Sequence, residues 1–425
     1  MVKRKTDNLK IAVIGCGNFA HSFVRLFQRH PAVSEVYVCD SIAERAAEFA
    51  EKYGVKVLNS FDDALDNQHI HAVALFTPRQ MHASMAIRAL QAGKHVYSST
   101  PCALSIEEIC EIEQLVRKTG LIYSMGETGF YRSATIFCRN AYFSGKFGRF
   151  VYGEAQYNHD IRNQMNSFRH SSGDAWKKYA GLPPMFYPTH STSMILGAMP
   201  GIYAKKVVAF GYHEQDRTDI FGDGDVNVYG NPFSNTSMMM ELSNNGIVRI
   251  SENRSVAWKS PHTYISQFYG TNACYEFSVT HHYFSQWKAE APDEIRMADV
   301  SEQLVPPAIW SDLQNNPSKT LQEISDGRGY TDSAPIQPID RVPKSFYDVP
   351  NAHNGTHYFM ADDFCRAVAT GKLPPTNIWQ TARYNIPGLI AHQSALAGGQ
   401  TMDVPDLGDP PADWELLNPD HFPRP

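Results

Sequence analysis

Residues 10–20 read Lys10-Ile-Ala-Val-Ile-Gly-Cys-Gly-Asn-Phe-Ala20 and decide the fold of the first part of the chain. Ile11 to Ile14 form a short apolar run without charge, which is typical of a parallel strand buried on both faces. The run stops at Gly15, and apolar residues with helical spacing begin at Phe19. A strand, a glycine turn and a helix in this order are the fingerprint of a dinucleotide-binding fold.

The residues of this turn have separate predicted roles in cofactor binding. Gly15 permits the tight turn, Gly17 lets the backbone approach a pyrophosphate, and Ala20 allows helix and strand to pack closely. Asn18 and Phe19 join the predicted contact set, because they precede a helix N-terminus whose free N–H groups attract phosphate. An ordinary turn between strand and helix is the alternative for the two glycines.

An acidic residue ends the second predicted strand. Val36 to Asp40 reads as that strand, and Asp40 lies about 20 residues past the glycines, where a carboxylate accepts the ribose hydroxyls of NAD. The same charge repels the 2′-phosphate of NADP, so NAD is the predicted cofactor. A helix N-cap is the alternative role for Asp40.

Composition narrows the class of protein. The 425 residues are enough for two domains, and 43% hydrophobic and 19% charged residues are ordinary for a globular protein. The net charge of −6 points to neither nucleic acid nor an anionic membrane as a partner. No apolar run is long enough to span a bilayer, and no apolar signal segment precedes the first strand.

Cysteine usage indicates the compartment. The seven cysteines are scattered, their number is odd, and no C-x-x-C occurs. This pattern suits a reducing compartment and argues against a disulfide framework and a zinc site, so we expect a cytoplasmic location.

The element pattern divides the chain in two. Strands and helices alternate from Leu9 to about Phe150, which predicts an α/β fold with a doubly wound parallel sheet and a NAD-binding Rossmann domain over residues 1–149. Residues 150–425 are predicted to form an α+β domain with a large open, mostly antiparallel sheet. Its predicted strands are Phe150–Tyr157, Lys205–Phe210, Ser237–Leu242, Ile247–Glu252, Thr263–Tyr269 and Ala273–Val279. Residues 306–350 are polar and proline-rich, which predicts a long surface excursion.

Three segments resemble motifs of the Gfo/Idh/MocA oxidoreductase family, in the family's order. They are Phe76-Thr-Pro-Arg-Gln-Met-His82, Gly93-Lys-His-Val96 and Ser394-Ala-Leu-Ala-Gly-Gly399. The resemblance implies a sugar-like substrate at the domain interface and homo-oligomers, dimers or tetramers, built through the outer face of the C-terminal sheet. The predicted cofactor contacts therefore also include Thr77, Pro78, His82, Ser99, Thr100, Pro101 and Glu127.

One motif departs from the family. The family usually continues G-K-H-V-x-x-E-K-P, and its lysine is the general acid/base on the reacting hydroxyl. This chain reads Tyr97-Ser-Ser-Thr-Pro101, so Ser99 and Thr100 stand in place of the glutamate and the lysine. Because a threonine hydroxyl does not titrate near neutral pH, the proton chemistry must come from other residues.

A narrower resemblance indicates which residues these are. Gly153-Glu-Ala-Gln-Tyr-Asn-His-Asp-Ile-Arg162 and Tyr187-Pro-Thr-His190 are similar to segments of the NAD-dependent glycosidases of glycoside hydrolase family 109, which also lack the lysine. Asn351-Ala-His-Asn-Gly-Thr-His-Tyr358 resembles a further segment of theirs. The similarity is local, so the substrate of those enzymes is not carried over.

The resemblance places the catalytic histidine at His190, on a helix that begins nearby. A histidine at such a position can act as acid or base near neutral pH. The hydroxyls of Thr189, Ser191 and Thr192 are expected to cap this helix. A buried, hydrogen-bonded histidine without catalytic function is the alternative.

The end of the first strand of the second domain supplies a second catalytic candidate. Side chains alternate across a strand, so Tyr157 and His159 share a face while Asp160 points the other way. A tyrosine held by a histidine can give or take a proton in place of the missing lysine. Asp160 and Arg162 are predicted to bind the substrate. The alternative is a tyrosine packed in the core and Asp160 paired with Arg162.

Further substrate contacts are predicted at Tyr187 and Trp176. Trp176 opens the polar segment Trp176-Lys-Lys-Tyr179, which could form a lid that stacks on a sugar. A solvated helix with one packed tryptophan is the alternative. The histidines at 281, 282, 353 and 357 lack metal-ligand spacing with carboxylates, so no metal site is predicted.

These observations predict an NAD-dependent enzyme that acts on a small-molecule carbohydrate. It would cleave a glycoside by transient oxidation at C3, elimination, water addition and re-reduction, with Tyr157 assigned to the C2 proton and His190 to the C3 hydroxyl or the leaving group. A net NAD-dependent sugar or cyclitol dehydrogenase is the first alternative. A non-catalytic NAD-binding protein is the second.

Overall fold

The chain folds into two units, each assembled from segments that are not adjacent in sequence. A computed structural model describes residues 8–222, 224–256, 264–278, 281–316 and 332–418. The first unit comprises Met1–Thr128, Pro338–Ala382 and Leu407–Pro425, and the second comprises Gly129–Gln337 and Arg383–Asp406. The domain boundary expected after residue 149 stays a prediction.

A six-stranded sheet forms the centre of the first unit, and its strand pairs are all parallel. The strands are β1 (Leu9–Ile14), β2 (Val33–Cys39), β3 (Lys56–Val57), β4 (Ala72–Leu75), β5 (His95–Ser98) and β6 (Tyr123–Met125). Their order is β3-β2-β1-β4-β5-β6, so the direction of winding reverses between β1 and β4. The predicted doubly wound parallel sheet is confirmed.

Helices connect these strands, as the alternating pattern predicts. They are α1 (Ala20–Arg29), α2 (Ala43–Tyr53), α3 (Phe61–Asp66), α4 (His82–Gln91) and α5 (Ile106–Thr119). The Ser105 hydroxyl caps α5 by accepting the Glu108 N–H, while α2 and α5 end at Gly54 and Gly120 with φ of 65° and 70°. These local signals mark where α5 begins and where α2 and α5 end.

A nine-stranded sheet forms the centre of the second unit. The strands are β7 (Phe150–Asn158), β8 (Ala204–His213), β9 (Phe233–Leu242), β10 (Ile247–Asn253), β11 (Tyr264–Gly270), β12 (Ala273–Ser278), β13 (His281–Lys288), β14 (Ala291–Asp299) and β15 (Met402–Asp403). Their order is β14-β13-β12-β11-β7-β10-β9-β8-β15, and β7 pairs with β10 in parallel while the other described pairs are antiparallel. The predicted open, mostly antiparallel sheet is confirmed.

The strands β13, β14 and β15 were not predicted from the sequence, and β14 and β15 are the two edges of the sheet. In β14 the apolar side chains of Ile295 and Met297 are exposed. Two ends of predicted strands, Thr263 and Val279, lie outside the described residues.

Helices cover the inner face of this sheet. The helices of the second unit before its last segment are α6 (Ser133–Phe143), α7 (Met165–Ser172), α8 (Trp176–Ala180), α9 (Thr189–Leu196), α10 (Ser301–Leu304) and α11 (Pro307–Asn315). Helix α9 packs on β7, β10 and β11. A Cβ on Gly153 of β7 would lie 3.3 Å from Ile195 Cγ2, so the glycine lets the helix approach the strand. This approach brings the start of α9 over the carboxyl end of β7.

The C-terminal part of the chain contains α12 (His357–Thr370) and α13 (Ile378–Leu396), and a short helical turn, Ala352–Gly355, precedes α12. The surface excursion expected over residues 306–350 is wrong for residues 332–350, where Val342, Phe346 and Val349 are buried. Residues 317–331 lie outside the described residues. Single apolar residues between prolines give no periodic signal, so the sequence does not reveal this packing. In the described ranges, no helix combines the length and the apolar character needed to cross a membrane.

A buried charge cluster lies within residues 338–382 of the first unit and connects the start of this segment to α12. Arg341 pairs with both oxygens of Asp363 at 2.8 and 3.0 Å and with Asp362 at 3.0 Å. All three side chains are at most 3% exposed. Arg366 reaches Asp362 at 3.4 Å from a position that is 36% exposed. Because buried carboxylates need a partner, Arg341 carries most of this compensation.

Replacing Arg341 therefore tests what holds this segment in place. We expect Arg341→Met to lower the free energy of unfolding by about 3–5 kcal/mol, because two buried carboxylates lose their main partner. Arg366→Met is the matched control and should cost about 1 kcal/mol or less. Urea unfolding followed by circular dichroism measures both changes. Equal unfolding midpoints for the two variants would contradict the assignment.

Candidate active site

The predicted cofactor residues lie at one edge of the parallel sheet. They follow the carboxyl ends of five strands: Gly15–Ala20 after β1, Asp40 after β2, Thr77 and Pro78 after β4, Ser99–Pro101 after β5, and Glu127 after β6. Ligands of open α/β sheets bind outside the carboxyl ends of the strands, where the strand order reverses. The first unit therefore gathers at that edge residues that are scattered over the sequence, although their contacts with a cofactor stay predictions.

The glycine turn has the shape that a dinucleotide requires. Gly15 has a φ of +94°, and a Cβ there would lie 2.5 Å from the carbonyl oxygen of Phe76. No atom lies within 4 Å of a Cβ built on Gly17, so the backbone there is open to a close ligand. Helix α1 then begins at Ala20, which is fully buried. The open backbone followed by a helix N-terminus fits a pyrophosphate.

Asp40 links the end of β2 to this turn. Its Oδ2 accepts the Cys16 N–H at 2.7 Å, and its Oδ1 accepts the Ile42 N–H at 2.9 Å. The second bond is a local turn contact before α2, and Asp40 does not cap this helix, whose N-cap residue is Ile42 and has no side-chain cap. The carboxylate is held in place by backbone donors on both sides, and its remaining lone pairs can accept hydroxyls.

His82 joins two of the loops at this edge. The ring is 1% exposed, with Nε2 2.8 Å from the Thr77 carbonyl and Nδ1 2.9 Å from the Pro101 carbonyl. Burial lowers its pKa, so the neutral ring donates to one carbonyl at a time. The observed contacts of His82 are therefore with the loops that carry Thr77 and Thr100, and a direct cofactor contact stays a prediction.

The loop after β5 and the segment after β6 provide buried polar groups. The Ser99 hydroxyl donates to the Leu75 carbonyl at 3.0 Å, and Thr100 is 7% exposed. Glu127 is fully buried. Thr77 Oγ1 is buried and contacts no hydrogen-bond partner within the described ranges, so a ligand group could satisfy it. Together with the glycine turn, these residues fit a dinucleotide.

Two histidines from the third family-109-like segment lie against the glycine turn. The ring of Phe19 is 5.3 Å from His353 and 5.0 Å from His357, edge to face in both cases. His353 and the following Asn354 have φ of 51° and 55°, which is uncommon for side chains other than glycine. The sequence did not indicate this contact, because the segment lies at the other end of the chain.

In the second unit, strand register places three side chains next to each other. Tyr157 of β7 is opposite Glu252 of β10 on one side and Tyr264 of β11 on the other. All three share the inner face that α9 covers. The centroids of the Tyr157 and Tyr264 rings are 4.9 Å apart, and His190 of α9 lies 5.2 and 5.6 Å from them. These residues form the candidate catalytic cluster.

Tyr157 and His159 are hydrogen-bonded, as the predicted shared face requires. The Tyr157 hydroxyl is 2.5 Å from His159 Nδ1, and Gln164 Nε2 is 2.9 Å from the same nitrogen. Because an amide nitrogen only donates, Nδ1 is an acceptor and the tyrosine hydroxyl donates to it. The predicted proximity is confirmed, and the arrangement lets the histidine take the phenolic proton.

His190 is paired with Tyr187, one turn earlier. Its Nε2 is 3.1 Å from the Tyr187 hydroxyl, and the ring is 6% exposed. The predicted capping of α9 is wrong, because no side chain caps this helix. Ser191 donates instead to Glu252, and Thr192 donates to the Tyr384 carbonyl at 2.8 Å. These hydroxyls attach the helix to its neighbours in the unit.

Sequence reasoning missed the charged residues beneath this cluster. Glu252 is fully buried, accepts the Ser191 hydroxyl, and pairs with Arg254 Nη2 at 3.0 Å. The Arg254 guanidinium lies 4.6 Å from the centroid of the Tyr157 ring and 5.8 Å from that of Tyr187. A usable signal was present, since Glu252 continues the buried phase of Val248 and Ile250 along β10.

Arg132 extends the cluster on the other side. Its guanidinium carbon lies 3.3 Å from the centroid of the Tyr264 ring, and the residue is 8% exposed. Arg132 could not be selected from the sequence, because it precedes the first residue of α6 in a segment without a recognised motif. The cluster therefore contains two buried arginines and one buried carboxylate.

Asp160 and Arg162 pair with each other, as their alternative interpretation states. Arg162 contacts both Asp160 oxygens at 2.7 and 2.8 Å, and the Val256 N–H donates to the same carboxylate at 3.0 Å. Burial opposes the charged form, but the bonds from Arg162 outweigh it and lower the pKa of Asp160. Their predicted role in substrate binding stays a prediction.

Trp176 packs in a small apolar cluster. The residue is 6% exposed and lies among Ile161, Ala180, Ile220 and Phe221. This placement matches the alternative of one packed tryptophan, while the proposed stacking on a sugar stays a prediction. Tyr187 is the predicted substrate residue that contacts the catalytic cluster directly.

Comparisons with known proteins identify a matching family and several relatives of this chain. Residues 9–127 match the family model Gfo/Idh/MocA, described as "Oxidoreductase family, NAD-binding Rossmann fold". A glycosyl hydrolase family 109 protein of Shewanella baltica is 30% identical over 202 residues, which are 45% of this chain and 44% of that protein. An alpha-N-acetylgalactosaminidase of Shewanella oneidensis has the same identity and coverage. The chain thus spans less than half the length of these two relatives.

Another relative is matched along nearly the whole chain. A glycosyl hydrolase family 109 protein of Streptomyces niveus is 22% identical over 437 residues, which are 98% of this chain and 80% of that protein. Levoglucosan dehydrogenase in complex with NADH has a TM-score of 0.70 at 18% identity, over 94% of this chain and 100% of that one. For myo-inositol 2-dehydrogenase from Lactobacillus plantarum the TM-score is 0.63 at 16% identity, with the same coverage.

The two solved structures share the fold, and identities this low show the fold alone. The resemblance read from the motifs is confirmed by the family match and by the curated relatives. Residues 9–127 match the NAD-binding Rossmann fold of the Gfo/Idh/MocA oxidoreductase family, and the chain is similar to the glycosyl hydrolase family 109 proteins.

Proposed function

We propose that the chain is an NAD-dependent carbohydrate enzyme that cleaves a glycoside by transient oxidation at C3, elimination, water addition and re-reduction. The observation that carries this proposal is the pair of hydrogen bonds Tyr157–His159 and Tyr187–His190 in one cluster. The relatives in glycosyl hydrolase family 109 support it, one of which is named an alpha-N-acetylgalactosaminidase. When bound, NAD would accept a hydride from the sugar and return the hydride at the end of the cycle.

The threonine at position 100 favours glycoside cleavage over simple oxidation of a sugar. A sugar dehydrogenase of this family uses a lysine at this position as its base, and the threonine cannot replace it. The chain therefore needs its proton-transfer groups elsewhere, and the cluster around Tyr157 and His190 offers two. Oxidation of the C3 hydroxyl and removal of the C2 proton are separate proton transfers. Oxidation followed by elimination therefore needs more than one proton-transfer group.

Tyr157 is assigned to the proton on C2, which becomes acidic once C3 is a ketone. His159 Nδ1 accepts the phenolic proton, and the resulting phenolate oxygen can remove the proton on C2. The Arg254 guanidinium over the Tyr157 ring favours the negative charge that develops there. His190 is assigned to the C3 hydroxyl proton or to the departing anomeric oxygen.

A net sugar dehydrogenase is the second candidate. It is supported by the fold shared with levoglucosan dehydrogenase and with an inositol dehydrogenase. The two candidates differ in their products. Glycoside cleavage leaves no net NADH, whereas a dehydrogenase forms one NADH for each sugar and leaves the anomeric centre intact. Absorbance of reduced nicotinamide, read beside product analysis by NMR, separates them.

The outer face of the nine-stranded sheet is proposed as the surface for self-association. Exposed apolar side chains occur on this face in five strands and include Phe210, Met239, Ile247, Trp287, Ile295 and Met297. Apolar side chains that a sheet leaves exposed in this number favour contact with another copy of the chain. The proposed assembly is a dimer or tetramer.

Cofactor preference follows from Asp40. We expect NAD+ to bind more tightly than NADP+, because the Asp40 carboxylate repels the 2′-phosphate. Asp40→Asn keeps the size and removes the charge, so NAD+ affinity should fall on the order of tenfold and the preference should narrow. Titration calorimetry with both cofactors measures this. Equal affinities in the unmodified protein would refute the assignment.

Thr100→Lys is expected to abolish activity rather than create a dehydrogenase. Thr100 is 7% exposed, so a lysine there would place an ammonium group in a site shaped for a short side chain. Thr100→Ser is the control, because it keeps a small hydroxyl. A gain of sugar-dependent NADH formation in Thr100→Lys would show that the cluster does not replace the family's lysine.

Variants of the cluster should fail at different steps. His190→Ala should slow ketone formation, whereas Tyr157→Phe should still oxidise the sugar but exchange the C2 hydrogen with D2O slowly and release little aglycone. Each loss should be on the order of 10²–10⁴-fold, the usual contribution of a positioned acid or base. Single-turnover absorbance and NMR in D2O measure the two steps. Full cleavage by Tyr157→Phe would remove the tyrosine from the mechanism.

A further inference from the structure

The candidate catalytic cluster contains two buried arginines, Arg132 and Arg254, and they differ in how their charge is compensated. Arg254 is 7% exposed and donates from Nη2 to Glu252 at 3.0 Å. Glu252 is fully buried and also accepts the Ser191 hydroxyl, so this ion pair is complete. One positive and one negative charge cancel at this position.

Arg132 differs, since among the residues that the structure describes no carboxylate pairs with it. Its guanidinium carbon lies 3.3 Å from the centroid of the Tyr264 ring. A ring face attracts a cation but compensates its charge only partly. Since buried charges in proteins are normally paired, this positive charge beside the Tyr264 ring lacks a counterpart within the described part of the chain.

Unsatisfied hydrogen-bond donors of the two arginines also indicate a ligand at this position. Arg132 Nε and Arg254 Nη1 are both buried, and neither donates to an acceptor within the described parts of the chain. Leaving such donors unsatisfied is costly, and their satisfaction by a ligand recovers that cost. Two unfilled guanidinium donors lie on residues that stack on the rings of Tyr264 and Tyr157, which are 4.9 Å apart.

We propose that Arg132, together with Arg254, determines the specificity of this cluster and selects a sugar that carries a carboxylate. The proposal rests on the proposed function and names its substrate class as uronic acids and their glycosides. One uncompensated positive charge matches a monoanion better than the dianion of a phosphate. A planar guanidinium also binds the two oxygens of a carboxylate side by side.

The test uses pairs of aryl glycosides that differ only at C6: glucoside with glucuronide and galactoside with galacturonide, each in both anomers. We expect the uronide of at least one pair to have the higher kcat/KM in the unmodified holoenzyme. Arg132→Gln should lower kcat/KM for that uronide on the order of 10²-fold more than for its neutral partner, since a charge-assisted contact is lost. Galactoside 6-phosphate serves as the phosphate arm.

The matched control is Arg169→Gln, since Arg169 also lies over an aromatic ring, that of Trp176 at 5.1 Å, but is exposed. It should leave the uronide preference unchanged. Arg132→Lys, which keeps the charge, should retain part of the preference. Higher kcat/KM for the neutral member of every pair would overturn the proposal. An equal loss for both members of a pair in Arg132→Gln, a preference for the phosphate, or a change only in NAD+ affinity would do the same.

Binding alone separates this proposal from the proposed function. Titration calorimetry at saturating NAD+ compares glucuronate and galacturonate with glucose and galactose. Uronate binding that Arg132→Gln abolishes, without turnover of any glycoside, would support the carboxylate subsite and refute the proposed function. Cleavage of neutral glycosides without uronate binding would do the opposite. Thermal unfolding of each variant shows whether a loss reflects failure to fold.

Discussion

The second unit depends on how the buried carboxylate of Glu252 is compensated. A charge without access to water costs several kcal/mol unless opposite charge and hydrogen bonds surround it. Ser191 and Arg254 provide both, from a helix and from the same strand. Since Ser191 follows His190 directly, the bond that satisfies the carboxylate also sets how α9 sits over β7. The orientation of the candidate catalytic histidine and the position of the guanidinium under Tyr157 thus follow from one electrostatic requirement.

The parallel sheet of the first unit could be predicted because its signals are local, whereas the presence of residues 338–382 in this unit could not. An apolar run, a glycine turn and a helical repeat occur within a few residues of each other, and each specifies one element of a parallel sheet. The cofactor residues follow from that topology, since strands that run the same way bring their carboxyl ends to one edge. Tyr157 and His159 could be predicted for a similar reason, because period-two geometry needs no knowledge of the neighbouring strands.

The remaining residues of the site depend on strand register, which no single segment encodes. Glu252 and Tyr264 become neighbours of Tyr157 only when β10 and β11 pair with β7, and β10 does so in parallel while β11 is antiparallel. Arg132 reaches the same cluster from a loop that carries no motif. Capping of α9 was misjudged for a related reason, since its hydroxyls can bond to other segments as well as to their own helix.

The composition of the first unit has a consequence for the order in which the chain can fold. Its sheet is complete within residues 9–125, yet Ser124 and Met125 of β6 bond to Thr376, and Trp379 donates to Glu113 of α5 at 2.9 Å. When β6 leaves the ribosome, all six strands of the nucleotide-binding sheet have therefore been made. The groups of β6 that bond to Thr376 still lack this partner. These contacts form only after β7 to β14 have been synthesised, and chaperones that bind exposed apolar segments would meet β6 during this interval.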